Sequence, residues 1–139
     1  MKAVKVTIDN NIDYLEEFVL KINFNVKTFR YFNNRPVSFI LNHLATFLFI
    51  ENDNAIAYGH LDKEEENVWL GICVLPEYTG KGYGKKMMTL LLEEAISLNL
   101  TQILLTVDRD NFNAIKLYEK MNFIKIEEYK NYLKYQYNF

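Results

Sequence analysis

Three glycines at alternate positions, Gly80, Gly82 and Gly84, alternate with or run into lysines at 81, 85 and 86. They belong to the stretch Pro76-Glu77-Tyr78-Thr79-Gly80-Lys81-Gly82-Tyr83-Gly84-Lys85-Lys86, which follows an apolar run and precedes residues with helical spacing. Backbone N–H groups at the start of a helix have no partners within it. Glycine lets such a loop approach an anion closely and take up positive φ. The helix dipole and the lysines add positive potential, so a pyrophosphate is the natural guest. The spacing lacks the Gly-Lys-Ser/Thr ending of a Walker loop and the downstream acid of a dinucleotide fingerprint. Taken alone, the cluster reads equally well as a glycine-rich turn with solubilising lysines.

The elements that must hold this loop are readable from periodicity. Residues 68–75 are apolar on both faces, as in a central strand, and Gly84, Met87, Met88, Leu91, Leu92 and Ala95 fall on one face of a helix. A buried strand at 103–107 follows, then a helix from about Asn111 with Ala114, Leu117, Tyr118 and Met121 on one face. Upstream, Val4, Val6 and Ile8 alternate as in a strand, and Asp9-Asn10-Asn11 offers capping side chains to a helix carrying Ile12, Leu15, Phe18, Val19 and Ile22. A loop is expected over 29–36, and a short helix from Pro36 in its first turn to about His43. Strands at 46–51 and 55–61, joined by Asn52-Asp53-Asn54, make antiparallel hairpins with 68–75, and the run 62–67 closes the second. Strands at 124–129 and 132–137 end the chain. The order is β-α-α-β-β-β-α-β-α-β-β, an α+β domain with one strand–helix–strand crossover.

The stretch Val74 to Met88 closely resembles the acetyl-CoA motif of the GNAT superfamily of N-acetyltransferases, Arg/Gln-x-x-Gly-x-Gly/Ala, which aligns from Thr79 to Gly84. Asn111-Phe112-Asn113-Ala114-Ile115-Lys116-Leu117-Tyr118-Glu119-Lys120-Met121-Asn122-Phe123 resembles the superfamily's second signature, Asn-x-x-Ala-x-x-Leu-Tyr-Glu-Lys-x-Gly-Phe. The two motifs and the matching element order cover most of residues 46–123, whereas the first 45 match in element order alone. The resemblance implies a GNAT fold. That is a three-layer α/β/α-like α+β domain spanning 1–139, with a mixed, mostly antiparallel sheet of about six to seven strands and about four helices. It implies acetyl-CoA as co-substrate. Amides of Gly80, Lys81, Gly82, Tyr83, Gly84 and Lys85 would bind its pyrophosphate, and the backbone at Ile72, Cys73 and Val74 would pair with its pantetheine arm. Asn111, and less clearly Asn113, would hold the pantetheine or the CoA tail, Asn111 doubling as a helix cap. Tyr118 would be the catalytic acid that meets the departing thiolate. Two departures stand out: Thr79 replaces the usual Arg or Gln, and Asn122 replaces Gly. Asn is the next most tolerant residue of a left-handed helix terminus.

The implied reaction moves an acetyl group to a primary amine, by direct attack in a ternary complex, and needs a general base. Thr106 stands where some relatives have Glu, and His60, His43, Asp62, Glu51 or a water chain remain open as alternatives. Cys73 lacks a paired base and reads as core. The acidic run Asp62 to Glu66 could attract a polyamine, but a solvated hairpin tip is the better explanation. Phe29-Arg30-Tyr31-Phe32-Asn33-Asn34-Arg35 interleaves aromatics with two arginines, which suits a sugar, nucleotide or carboxylate-bearing amine. Phe29, Arg30, Tyr31, His60 and Trp69 are therefore the acceptor candidates, with Gly71 beside Trp69 on one strand face. A small-molecule amine such as an amino sugar is the leading acceptor. A protein N-terminus or lysine, and a non-catalytic acyl-CoA-binding domain, are the alternatives. Core packing of the same aromatics is the competing structural role.

Composition narrows the field further. The chain has 139 residues, half of them hydrophobic and 15% aromatic, enough for one real core. A formal charge of -2 and the absence of a basic stripe argue against a nucleic-acid partner. No apolar run approaches the roughly 18 residues of a membrane span, and no signal peptide is visible, so a cytoplasmic location is expected. With Cys73 the sole cysteine, neither an internal disulfide nor a Cys-based metal cluster is expected. An exposed final strand would offer an edge for a homodimer.

Overall fold

A computed structural model of the chain describes residues 1–139, the side chains of 24 and 25 excepted. Its elements are β1 (Lys2–Lys5), α1 (Ile12–Asn25), a 3-10 turn (Val37–Asn42), β2 (His43–Glu51), β3 (Asn54–Glu64), β4 (Asn67–Val74), a second 3-10 turn (Pro76–Tyr78), α2 (Tyr83–Ser97), β5 (Gln102–Asp108), α3 (Phe112–Lys120), β6 (Ile124–Glu128) and β7 (Tyr132–Asn138). The seven strands form one sheet in the order β1-β2-β3-β4-β5-β7-β6. All neighbours are antiparallel except β4 and β5. The expected element order and the mostly antiparallel sheet are both present.

Each face of the sheet has its own core. One buries Met87, Met88 and Leu91 of α2 with Leu61, Ile103, Leu105, Tyr118 and Phe123. The other buries Leu15, Phe18 and Ile22 of α1 with Leu48, Tyr58, Cys73 and Phe32. The helical spacing read from residues 84–95 is thus the stripe α2 buries, and Met87, Met88, Leu91 and Ala95 are wholly inaccessible. Asn99, at φ 58, stops that helix in the left-handed region, and the Leu100 N–H returns to the Ala95 carbonyl. Gly59 lets α2 sit directly on β3, because a Cβ there would lie 2.6 Å from Met87 Sδ. Asn122 occupies the left-handed region at φ 72, as its place in the second motif requires.

Four sequence expectations need correction. Asn11 precedes α1 with φ 67 and makes no side-chain cap; its amide donates instead to the Lys5 carbonyl. The helix expected from Pro36 is a 3-10 turn with Pro36 just outside it. The hairpin tip is shorter than the acidic run suggested, since β3 continues to Glu64 and Asp62 is buried within it. The final strand is not an edge: β7 lies between β5 and β6, which leaves the fully exposed β6 outermost. A chain that ends on an inner strand needs β7 to slot beside β5 after β6 has passed outside it.

Candidate active site in the fork between two parallel strands

β4 and β5 share one register pair, Trp69 with Leu104, and then part. Parallel neighbours normally continue in even, slanted hydrogen bonds. Here the strands diverge toward their C-terminal ends, leaving a fork between Gly71–Val74 and Thr106–Asp108. The fork opens into a cleft of about 850 Å³, lined also by the glycine loop and α3. Such a volume is ordinary for a site that takes a cofactor-sized ligand.

The glycine loop forms the mouth of this cleft. Gly80 and Gly82 have φ of 76 and 87, and a Cβ on either would meet nothing within 4 Å. These glycines are therefore required by backbone conformation and not by crowding. Gly82 caps α2 without a side-chain hydrogen bond. The Lys86 N–H is the first in the helix to find its carbonyl, on Gly82. The amides of Tyr83, Gly84 and Lys85 thus stand free at the positive end of a 15-residue helix. Thr79 closes the preceding turn by donating its hydroxyl to the Pro76 carbonyl at 2.8 Å.

Tyr118 enters the cleft wall from α3 and is 8% exposed. Its hydroxyl is pushed up to about 12 by burial, and secondarily by the neighbouring Cys73, so it stays protonated at neutral pH. Cys73 is likewise pushed up to about 12 by burial. It is a core thiol with no tendency to form a thiolate, as expected. Asn111 caps α3, accepting the Ala114 N–H at 3.4 Å, while also lining the cleft. Tyr83 fixes the start of α2 to the sheet by donating to Glu51 Oε1 at 3.1 Å.

Every residue nominated for the cofactor lines the cleft except Lys81, whose ammonium lies over the Tyr78 ring instead. Every nominated acceptor residue lines it too: Phe29, Arg30, Tyr31, His60 and Trp69. Among the nominated bases, His60 and Asp62 reach the cleft and Glu51 and His43 do not; Thr106, which stands where some relatives have Glu, lines it as well. Arg30 does not present a free fork to a ligand. Its two terminal nitrogens hold Asp108 Oδ1 and Oδ2 at 2.7 and 2.9 Å, which straps the 26–35 loop across the fork to β5. Arg35 stacks 4.3 Å from the Tyr31 ring centre and donates to the Tyr31 carbonyl.

Behind the acceptor wall lies a polar network that spacing alone did not reveal. Register brings Thr46, His60 and Gly71 side by side across three strands, and likewise His43, Asp62 and Trp69. Gly71 makes room for an imidazole, since a Cβ there would lie 2.6 Å from His60 Nε2. His60 Nδ1 shares a 2.6 Å hydrogen bond with the Tyr58 hydroxyl. Burial holds both histidines neutral, His43 lowered to about 4 and His60 well below its ordinary value. The period-2 pattern of β2 and β3 was visible in the sequence. Which polar residues would pair across those strands depended on a register displaced by two irregularities in the β2–β3 pairing.

The GNAT acetyltransferase family profile matches residues 11–123. The chain belongs to the GNAT acetyltransferase family. It is 31% identical over 85 residues to the ribosomal protein bS18 alanine N-acetyltransferase of Haemophilus ducreyi, a match covering 60% of this chain and 59% of that one. It is 36% identical over 64 residues to the spermine/spermidine N(1)-acetyltransferase of Bacillus subtilis, covering 45% of this chain and 42% of the relative. Both matches span less than two thirds of the curated relatives. The fold of a ribosomal-protein-alanine N-acetyltransferase from Brucella melitensis superposes with a TM-score of 0.82 at 13% identity, covering 100% of both chains. Among the described residues no group of three side chains could hold a metal ion, and no helix is long and apolar enough to cross a membrane.

Proposed function

We propose that the protein transfers an acetyl group from acetyl-CoA to a primary amine of a small molecule. The observation that carries this reading is the meeting, in one cleft, of free α2 amides, unpaired β4 main chain and a protonated, ligand-facing Tyr118. The cleft fits acetyl-CoA: positive-φ glycines and free amides suit a pyrophosphate. The main-chain groups of Ile72 to Val74, beyond the last pair with β5, suit the amides of a pantetheine arm. When bound, acetyl-CoA supplies an acyl carbon activated by its thioester.

The chain's own residues then have distinct tasks. Tyr118 donates its hydroxyl proton toward the leaving sulfur, on a ring held by the Phe123 packing of the α2–α3 core. Cys73, as a protonated core thiol, offers no covalent relay, which supports direct attack in a ternary complex. His60 and Thr106 line the acceptor side as candidate partners for the incoming amine. The Arg30–Asp108 strap closes the acceptor side of the fork, which favours a compact amine over an extended peptide. Because both arginines of the 29–35 segment are engaged within the protein, the case for an amino sugar rests on the aromatics Phe29, Tyr31 and Trp69. The names of two of the similar proteins keep a protein N-terminus as the second reading.

Acetyl-CoA at a hundred times its dissociation constant should stabilise the protein by about 2.7 kcal/mol. A melting experiment with and without the ligand reads this directly, and an unchanged midpoint sinks the assignment. Thiol release against amino sugars, diamines, amino acids and alanyl peptides then ranks the acceptors.

A further inference from the structure

The buried network points at one carboxylate. Tyr31 donates its hydroxyl to Asp62 Oδ2 at 2.8 Å, and burial together with this bond raises the Tyr31 hydroxyl far above its ordinary range. With that proton committed, the 2.6 Å contact between the Tyr31 oxygen and His43 Nε2 must be donated by the histidine. His43 Nδ1 is then the acceptor, and takes the Thr46 hydroxyl at 2.8 Å. The chain Thr46 to His43 to Tyr31 runs in one direction and terminates on Asp62. It orients one oxygen of that carboxylate and leaves the other free.

Asp62 is 5% exposed and lines the cleft. Among the described residues, its Oδ1 has no hydrogen-bond partner within the protein, no cation lies within 4.0 Å of the carboxylate, and no side-chain oxygen is both fully sealed and unpaired. The Oδ1 atom therefore meets the cleft. A carboxylate so placed is costly unless something positive pairs with it.

We infer that Asp62 Oδ1 binds a second, non-reacting cationic nitrogen of the acceptor, so that the protein selects diamines over monoamines. This rests on the acetyl-transfer reading above: with the pantetheine arm laid along Ile72 to Val74 beyond the last β4–β5 pair, the thioester would follow at the Gly71–Ile72 level of the fork. Asp62 pairs with Trp69, one strand across and two residues further from the fork's mouth than Gly71. A strand rises about 3.3 Å per residue and its neighbour lies about 4.8 Å away, which separates the carboxylate from the thioester by roughly 8 Å. A base that deprotonates the attacking nitrogen must come within roughly 3 Å of it, so Asp62 is too far. A carboxylate also favours the protonated form of an amine it touches, which would quench a nucleophile but suits an anchor. The Trp69 indole beside it offers an apolar face for the intervening methylenes. Asp62 is thus a specificity residue, and Tyr31, acting through it, a positioning residue.

Calorimetric titration of the CoA-saturated protein with 1,4-diaminobutane and with n-butylamine tests this. The diamine should bind at least about tenfold more tightly, a difference of about 1.4 kcal/mol. Asp62→Asn, which keeps an oxygen for Tyr31, should abolish that preference without altering CoA affinity. Tyr31→Phe should reduce the preference and raise the diamine KM more than it lowers kcat. Equal binding of the two amines by the wild type, no saturable diamine binding, or a preference that survives Asp62→Asn would overturn the inference while leaving CoA binding intact. Loss of CoA binding in the wild type would instead overturn the acetyl-transfer reading on which it rests.

Discussion

On the α2–α3 side of the cleft, the groups turned toward a ligand are largely main chain. They are the free amides of residues 83–85, the unpaired edge of β4 and two glycines with positive φ, joined by the Tyr118 hydroxyl. On the opposite side, the cleft is lined by side chains. Tyr31, His60, Asp62 and Trp69 stand on or against β3 and β4, and behind the surface Tyr31 is bonded to Asp62 and His60 to Tyr58. On the proposed reading, main chain would recognise what every carrier of a pyrophosphate and a peptide-like arm has in common. Side chains would recognise what distinguishes one acceptor from another. The two sides should therefore fail separately, and experiments can pull them apart.

The largest separation should come from Tyr118→Phe. Removing the hydroxyl keeps the ring in its core but deletes the proposed proton donor. A positioned acid typically contributes about 100-fold or more to rate. We expect kcat to fall by about that factor, with acetyl-CoA affinity and the amine KM unchanged. Steady-state thiol release with varied amine and varied acetyl-CoA measures all three. Full turnover by the variant would remove Tyr118 from the chemistry and leave the cleft a binding site.

A smaller separation should appear in acid. Both histidines of the chain stand on the acceptor side, each with a folded pKa held below its ordinary value of 6.5 by burial. As pH falls through 6.5 the unfolded chain takes up protons that the folded protein refuses, until His43 itself protonates near 4. Stability is thus fully present above about pH 6.5 and declines below it. Urea unfolding at pH 7.5 and 5.5 should differ by roughly 1–3 kcal/mol. The double variant His43→Gln, His60→Gln should flatten that difference. An equally steep decline in the variant would place the acid sensitivity elsewhere.

The same division explains what was legible beforehand. Gly80, Gly82, Gly84, Asn111 and Tyr118 sit on local geometry, a turn, a cap and a helix face, which neighbouring residues dictate. Their places in the fold could be read from spacing within a dozen positions, and the roles proposed for them came from the resemblance to the two family motifs. Asp62 could not, because its burial depends on β3 running three residues past Leu61 and on Tyr31 arriving from a loop 31 positions away. In sequence it was one of several open candidates for the general base and the start of an acidic run that read as a hairpin tip. Arg30 misled for a related reason: a free guanidinium and one locked to Asp108 across 78 positions have the same local neighbours. The sheet order beyond β5 was equally hidden, since either β6 or β7 could have paired with it on pattern alone. Long-range pairing was the missing information throughout.

The smallest effect is expected at Thr79, the one motif position where this chain departs from the Arg or Gln usual at the loop. Its hydroxyl closes the 3-10 turn on the Pro76 carbonyl and carries no charge toward the mouth of the cleft. Thr79→Arg would lose that hydrogen bond, worth about 1 kcal/mol to the turn. In exchange it would add an exposed cation near the free amides of α2. Exposed charge pairs contribute modestly, so a tightening of acetyl-CoA by about threefold in low salt is the expected balance. Because such charges are screened within about 10 Å at 0.1 M salt and about 3 Å at 1 M, the gain should disappear in concentrated salt. Titration of acetyl-CoA at two ionic strengths measures it. A gain that persists in high salt would mean the loop had changed shape, and a shift in diamine affinity would mean the two sides of the cleft are coupled after all.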